Sequence, residues 1–157
     1  MKKKITIAID AMGGENAPEK TIEGVKLFLK NNQTHDDFII NLFGDKKKIE
    51  EKLKKENIDR TNLKITHTES VVADDETPLT AIKNSKNTSM WNCISSQVTG
   101  DADISLSAGN TGVLLVVSRM ILKMMDDVSK PALAGLWPNN KNMNVVLDLG
   151  ANIECDE

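Results

Sequence analysis

The sequence predicts an α/β protein built on a doubly wound, mainly parallel sheet with helices on both faces. Short apolar runs alternate along the chain with longer amphipathic stretches, a pattern typical of β-α-β units. The resulting order is β-α-β-α-β-α-α-β-α-β-β, in which helices separate most strands. Glycines follow several of the apolar runs directly, which favours tight strand-to-helix turns.

The first half of the chain supplies three strands and two helices. Residues 5–10 form an apolar strand that leads to a glycine pair, and Pro18 suits the first turn of the next helix. That helix carries Ile22, Val25 and Leu29 on one face. The next predicted elements are a strand at 38–43, a charged helix at 46–57 and a strand at 63–68.

The second half adds three helices and three strands. A threonine and a proline at 77–78 predict the cap and first turn of a short helix that reaches residue 83. A further helix starts at Ser89, with Trp91, Ile94 and Val98 on its apolar side. The last predicted elements are a strand at 104–107, a helix at 113–125 and strands at 132–137 and 143–149.

The composition is that of an ordinary globular domain, with 157 residues of which 39% are hydrophobic and 27% charged. A formal net charge of -3 gives no signal for nucleic-acid binding. No apolar run approaches the ~20 residues that span a bilayer, and no cleavage site follows the basic amino terminus. Cys93 and Cys155 match no metal spacing, so we expect free thiols in a reducing cytoplasm.

Three glycine-bearing segments, 10–18, 107–112 and 148–152, each begin where a predicted strand ends. In an open α/β sheet, the loops at the carboxyl ends of the strands form the ligand crevice. The second segment leads directly into a helix, whose free N–H groups and dipole favour an anion. Any one of these glycines alone is explained by a tight turn. Three such segments at one edge of the sheet favour a binding site.

The chemistry of that site is predicted from what accompanies the glycines. The sequence has no dinucleotide fingerprint, P-loop, nucleophile elbow or zinc-binding helix motif. We therefore expect an oxyanion pocket with no protein nucleophile, no metal and no cofactor. Such a pocket suits a reaction in which the bound anion is itself the nucleophile, while the protein contributes positioning and charge stabilisation.

The same segments resemble the PlsX family of bacterial phosphate acyltransferases. The resemblance rests on residues 7–18, 107–112, 131–134 and 147–152, with further agreement at 67–69, 75–78 and 86–90. It implies transfer of a long-chain fatty acyl group from acyl carrier protein to inorganic phosphate, which gives acyl phosphate for phospholipid synthesis. It also implies a fold similar to phosphotransacetylases and isopropylmalate dehydrogenases, and a cytoplasmic homodimer with peripheral membrane association.

The residues expected to bind phosphate and substrate lie in or beside these segments. They are Asp10, Gly13, Gly14, Asn16, Ser89, Ser107, Gly109, Thr111, Gly112, Asp148, Gly150 and Asn152. The aspartates are expected to orient ligands or to hydrogen-bond the neighbouring loops, and structural capping is their alternative. The asparagines have a left-handed turn position as their alternative. The serine and threonine near helix starts, Ser89 and Thr111, are hydroxyl donors to the anion, N-caps, or both.

Three residues are the catalytic candidates. Asn110 would donate to the phosphate or to the developing oxyanion. Lys86 would place positive charge near phosphate or the carrier's phosphopantetheine, and a solvated loop lysine is its alternative. His67 would protonate the departing thiolate, and a structural histidine is its alternative.

The chain departs from the family pattern at several positions. Glu15 stands where the family has aspartate, and Lys83, Ser85 and Asn87 replace an arginine, a lysine and an aspartate in the loop before the Ser89 helix. Lysine also replaces arginine at position 130. Because lysine lacks the bidentate fork of arginine, we expect altered anion binding.

The family is about twice as long as this chain. The resemblance therefore predicts that residues 1–157 are the amino-terminal part of a single α/β domain, with a sheet that is incomplete at its carboxyl side. Two other functions stay open. One is a catalytically incomplete module that binds phosphate or dimerises, and the other is a phosphotransacetylase-like enzyme that uses coenzyme A.

Overall fold

The computed structural model describes residues 4–32, 37–73 and 76–147 and has the predicted α/β fold. The chain divides into two compact units, Met1–Leu122 and Lys123–Glu157. The strands are β1 (Ile5–Asp10), β2 (Phe38–Gly44), β3 (Leu63–His67), β4 (Ile104–Ser107), β5 (Ala134–Pro138) and β6 (Met143–Leu147). The helices are α1 (Glu19–Asn31), α2 (Lys46–Lys55), α3 (Pro78–Asn84), α4 (Ser89–Val98) and α5 (Thr111–Leu122).

Four parallel strands form the sheet of the first unit, in the order β3-β2-β1-β4. β1 is central, with Ile7 opposite Ile40 of β2 on one side and Ile104 of β4 on the other. The nearly continuous apolar run of β1 fits this position, because a parallel strand that is covered on both faces needs apolar side chains throughout.

Helices lie on both faces of this sheet, so the doubly wound prediction is confirmed. On one face, the buried residues of α1 and α2 pack against Ile40 and Leu42 of β2. On the other face, Cys93 of α4 packs with Ala8 of β1 and Phe43 of β2. Helix α5 packs on α4 through a separate apolar cluster.

Local signals set the helix ends, and several predicted ends were wrong by two or three residues. Helix α2 ends at Lys55 because Asn57 takes a left-handed φ of 51 and the Ile58 N–H donates to the Leu53 carbonyl at 3.1 Å. Helix α5 begins at Thr111 and ends at Leu122, since the next residue, Lys123, has a φ of 63.

The predicted apolar side of α4 was also partly wrong. Ile94 is buried and Trp91 half-buried, but Val98 is 62% exposed. Ser89, Cys93 and Ser96 are buried instead. The row of small side chains packs inward, and hydrophobic periodicity does not detect buried serines.

The second unit contains an antiparallel hairpin of β5 and β6, with Ala134 opposite Leu147. Asn139 closes its turn, because its N–H donates to the Asn142 carbonyl and its side chain accepts from the N–H groups of Lys141 and Asn142, all at 2.8 Å. The third predicted loop, residues 148–152, lies outside the described residues.

Candidate functional site

The sheet order creates a topological switch point between β1 and β4. From β1 the chain builds β2 and β3 on one side, and it then crosses to place β4 on the other side. Because crossovers on opposite faces leave a crevice between two such strands, the loops after β1 and β4 flank the standard ligand position of this architecture. Two of the three predicted glycine-bearing segments occupy these loops.

A hydrogen bond between a buried aspartate and a half-buried serine joins the two strand ends. The Ser107 hydroxyl donates to Asp10 Oδ2 at 2.7 Å, and the Gly109 N–H donates to the Ser107 hydroxyl at 3.1 Å. The other carboxylate oxygen, Oδ1, accepts from the Met12 N–H at 3.2 Å. Asp10 is only 2% exposed, and a buried carboxylate needs such donors. Asp10 thus hydrogen-bonds the ends of both loops, one of the roles predicted for it.

Glycines allow these loops to touch backbone to backbone. A Cβ on Gly13 would lie 2.6 Å from Asp10 Oδ2 and 2.9 Å from the Gly109 nitrogen. Gly14 has a φ of +89, and a Cβ there would lie 2.7 Å from the Ala108 carbonyl oxygen. No side chain fits at either position without moving a loop.

Helix α5 starts at the second loop and directs its amino terminus to the crevice. Asn110 is its N-cap, since its Oδ1 accepts from the Val113 N–H at 3.1 Å while its Nδ2 donates to the Glu76 carbonyl at 3.5 Å. The N-cap alternative for Thr111 was therefore wrong by one residue, because Thr111 is already helical. Both polar ends of the Asn110 side chain are engaged, so the groups of this helix end that can bind an anion are the backbone N–H groups of its first turn.

An open depression of about 410 Å³ lies over this amino terminus. It is lined by Gly14, Glu15, Ala108, Gly109, Asn110, Thr111 and Gly112. Five of these were predicted, Gly14 of the first loop and Gly109, Asn110, Thr111 and Gly112 of the second, and two were not, Glu15 and Ala108. Glu15 is exposed at the rim, and its negative charge opposes an anion. Ala108 could have been predicted, because it lies between Ser107 and Gly109 in the same glycine-bearing segment.

The amino terminus of α4 reaches the same loop. A Cβ on Gly109 would lie 2.8 Å from Met90 Cε. Thr88 is the N-cap of α4, because its hydroxyl accepts from the Trp91 N–H at 3.2 Å. The N-cap alternative for Ser89 was thus also wrong by one residue. Ser89 is fully buried and its hydroxyl has no hydrogen-bond partner.

Besides Asp10, Gly13, Ser89 and Ser107, which were placed above, three more predicted residues lie outside the lining of this depression. His67 ends β3, the far strand of the sheet, where its Nδ1 accepts from the Lys46 N–H at 3.2 Å. Lys86 is exposed in the loop between α3 and α4. Asn16 is exposed with a φ of 55, the left-handed turn position that was its alternative. Asp148, Gly150 and Asn152 lie outside the described residues.

A buried thiol lies behind the crevice. Cys93 of α4 is 1% exposed and its thiol donates to the Leu106 carbonyl at 3.7 Å. Burial, together with the negative charge of Asp10, raises the pKa of Cys93 to about 12. This thiol is protonated at neutral pH and is not a nucleophile there.

Fold and site first define a class, a doubly wound α/β protein whose glycine-bearing loops meet at the topological switch point. The particular family follows from comparison with known proteins. A family model described as "Fatty acid synthesis protein" matches residues 5–157, so the chain belongs to that family.

Curated relatives agree with this assignment and with the resemblance found in the sequence. A phosphate acyltransferase of Pelagibacter ubique is 48% identical over 155 residues, which cover 99% of this chain and 45% of that protein. A phosphate acyltransferase of Bradyrhizobium diazoefficiens is 38% identical over 157 residues, with 99% and 44% covered. The chain therefore spans less than half the length of these enzymes.

A solved structure supports the fold. The EutD phosphotransacetylase from Staphylococcus aureus superposes with a TM-score of 0.56 at 18% identity, covering 90% of this chain and 45% of that one. Among the described residues, no helix has the length and apolar character needed to cross a membrane.

Proposed function

We propose that this chain carries the phosphate-binding loops of a phosphate acyltransferase, which moves a long-chain fatty acyl group from acyl carrier protein to inorganic phosphate. The product is acyl phosphate, a donor for phospholipid synthesis. The observation that supports this most directly is the contact of two glycine-bearing loops over the amino terminus of α5 at the switch point. The names of the relatives supply the reaction class.

In the proposed reaction the bound phosphate is the nucleophile. A phosphate oxygen forms a bond to the thioester carbonyl carbon, the carbon–sulfur bond breaks, and the carrier leaves as a thiolate that takes up a proton. Backbone N–H groups of the α5 amino terminus hold the anion. Asp10 and Ser107 position those groups by joining the loops. Asn110 contributes by capping the amino terminus of α5. Its side-chain amide can donate to the oxyanion only after its hydrogen bond to the Glu76 carbonyl breaks.

Lys86 and His67 have separate proposed roles. Lys86, exposed in the loop before α4, supplies positive charge to the acidic carrier or its phosphopantetheine. His67 protonates a thiolate only if the carrier's arm extends along the strand ends to β3. Further proposals are a cytoplasmic homodimer, peripheral attachment to the membrane, and residues 1–157 as part of one larger α/β domain that includes Asp148, Gly150 and Asn152.

The experiment mixes the purified chain with long-chain acyl carrier protein and inorganic phosphate and measures acyl phosphate. A coenzyme A thioester replaces the carrier in a second arm, since the fold is also that of a phosphotransacetylase. Turnover of the carrier thioester but not of the coenzyme A thioester supports the proposal. The opposite result supports the alternative enzyme.

A second candidate is a catalytically incomplete phosphate-binding module. It is favoured by the length of the chain, which covers 45% of the Pelagibacter enzyme. This candidate predicts that phosphate binds, as measured by calorimetry, while neither thioester is consumed. Absence of both binding and turnover would contradict both candidates.

A further inference from the structure

An apolar groove lies on the α1 face of the sheet, opposite the face that holds α4. Its volume is about 260 Å³. Its floor is formed by Ile7 and Ile9 of β1 and Leu106 of β4, and its wall by Gly24 and Phe28 of α1. We call it the α1-side groove.

The floor of the α1-side groove is most exposed along β4, the last strand of the sheet on that side. Leu106 is 51% exposed, and Ile104, which lies on the same face two residues earlier, is 45% exposed. A Cβ added to Gly24 would meet nothing within 4 Å. Scattered surface leucines are ordinary, but a contiguous apolar surface of this kind marks a contact site.

The topology explains why the sheet itself does not cover this groove. Connections between parallel strands are right-handed. Strands added in one direction along the sheet therefore place their connecting helices on one face, and strands added in the opposite direction place them on the opposite face. The steps β1 to β2 and β2 to β3 place α1 and α2 on the groove face. The crossing to β4 places α4 on the opposite face. Any strand added beyond β4 by the same rule places its helix on the α4 face as well.

The cover must therefore be a segment that returns to this face from elsewhere. We infer that the α1-side groove is the seat of an apolar helix face from the part of the family's proteins that lies outside the match to this chain. Those proteins are more than twice as long, since this chain covers 45% and 44% of two of them. Gly24 suits this occupant, because a glycine on α1 lets a neighbouring helix backbone approach closely. The inference does not depend on acyl transfer.

Thiol labelling tests the groove in two proteins. One is this chain, and the other is a fusion in which the unmatched part of the Pelagibacter ubique phosphate acyltransferase follows it, both with Cys155→Ser. Leu106→Cys probes the groove, and Lys54→Cys on the exposed face of α2 is the matched control. The groove thiol should react about tenfold or more slowly in the fusion, as expected for a covered site, while the control thiol reacts equally in both.

Equal labelling of Leu106→Cys in the two proteins would overturn the inference. If Leu106→Cys already reacts slowly in this chain without the fusion partner, and dilution speeds the reaction, the groove binds a second copy of the chain. That result would also overturn the inference. If the fusion does not fold, co-expression of this chain with the unmatched part as a separate polypeptide decides. We expect this chain to capture the unmatched part, and we expect Leu106→Glu but not Lys54→Glu to weaken that capture. If the unsubstituted chain captures nothing, the inference is contradicted.

Discussion

At the scale of single residues, the candidate site is held together by one hydroxyl. Ser107 donates to the buried carboxylate of Asp10 and accepts from the Gly109 N–H. It thereby provides a hydrogen-bond partner for the Asp10 carboxylate at the end of β1 and for the Gly109 amide in the loop after β4. Loss of this hydroxyl leaves both groups short of a partner, and buried polar groups without partners are costly.

The Ser107→Ala variant should lower the free energy of unfolding by about 1–3 kcal/mol, the cost of leaving buried polar groups unpaired. Urea denaturation measures it. Ser105→Ala is the control on the same strand, where the hydroxyl donates to the side chain of Gln97, and it should cost under ~1 kcal/mol. Equal costs for the two variants would contradict the role assigned to Ser107.

Gly14 and Gly100 separate steric contact from backbone strain. Both have a positive φ, +89 and +79, but an added Cβ would lie 2.7 Å from the Ala108 oxygen at Gly14 and would meet nothing within 4 Å at Gly100. Each alanine variant should lose about 1–2 kcal/mol of stability from the left-handed backbone alone. Only Gly14→Ala should also displace the second loop and abolish phosphate binding in calorimetry. Retained binding in Gly14→Ala would show that the loop contact is dispensable.

Cys93 gives a prediction about reactivity. Because burial raises its pKa to about 12, the native chain should resist alkylation at this cysteine at pH 8, and denatured chain should react readily. Peptide mass mapping distinguishes Cys93 from Cys155. Rapid native labelling of Cys93 would mean that the α4 face opens easily.

At the scale of elements, one glutamate links two helices on the same face of the sheet. Glu56, which caps the carboxyl end of α2, accepts from Lys26 of α1 at 2.9 Å and lies 3.0 Å from Lys52 Nζ. These ammonium groups lower the pKa of Glu56 to about 2. Folding therefore stabilises the ionised form of Glu56 relative to its protonated form.

The stability that Glu56 adds should be fully present above its ordinary pKa of 4.5 and should be lost as the pH falls toward 2. Glu56→Gln should flatten this part of the stability profile, measured by thermal denaturation across the acid range. Glu50→Gln is the control, since its carboxylate lies 4.0 Å from Lys46 Nζ and 3.6 Å from Arg60. An unchanged acid profile in Glu56→Gln would contradict the assignment.

The elements also indicate how far sequence reasoning extends. The strands were predicted closely because apolar runs such as 5–10 are bounded by glycine or polar residues. The caps were displaced by one position because Thr88 and Ser89, like Asn110 and Thr111, are adjacent residues that can each cap a helix. The remoteness of His67 was not predictable, since the order β3-β2-β1-β4 depends on long-range pairing that local patterns do not encode.

At the scale of the whole molecule, binding at the switch point should stabilise the entire first unit. A ligand that binds only the folded chain adds about 1.4 kcal/mol at ten times its dissociation constant. Inorganic phosphate should therefore raise the thermal denaturation midpoint above that in chloride of equal ionic strength. The same shift in Gly14→Ala would show that phosphate acts elsewhere or through general salt effects.

The Asp10–Ser107 bond has a kinetic consequence. The Gly109 amide hydrogen is held by a hydroxyl that is itself held by a carboxylate on the central strand. Its exchange with deuterated water should therefore follow the separation of β1 from β4 rather than the fluctuations of an ordinary surface loop. The candidate site is thus formed and lost together with the centre of the sheet, so its lifetime is that of the fold.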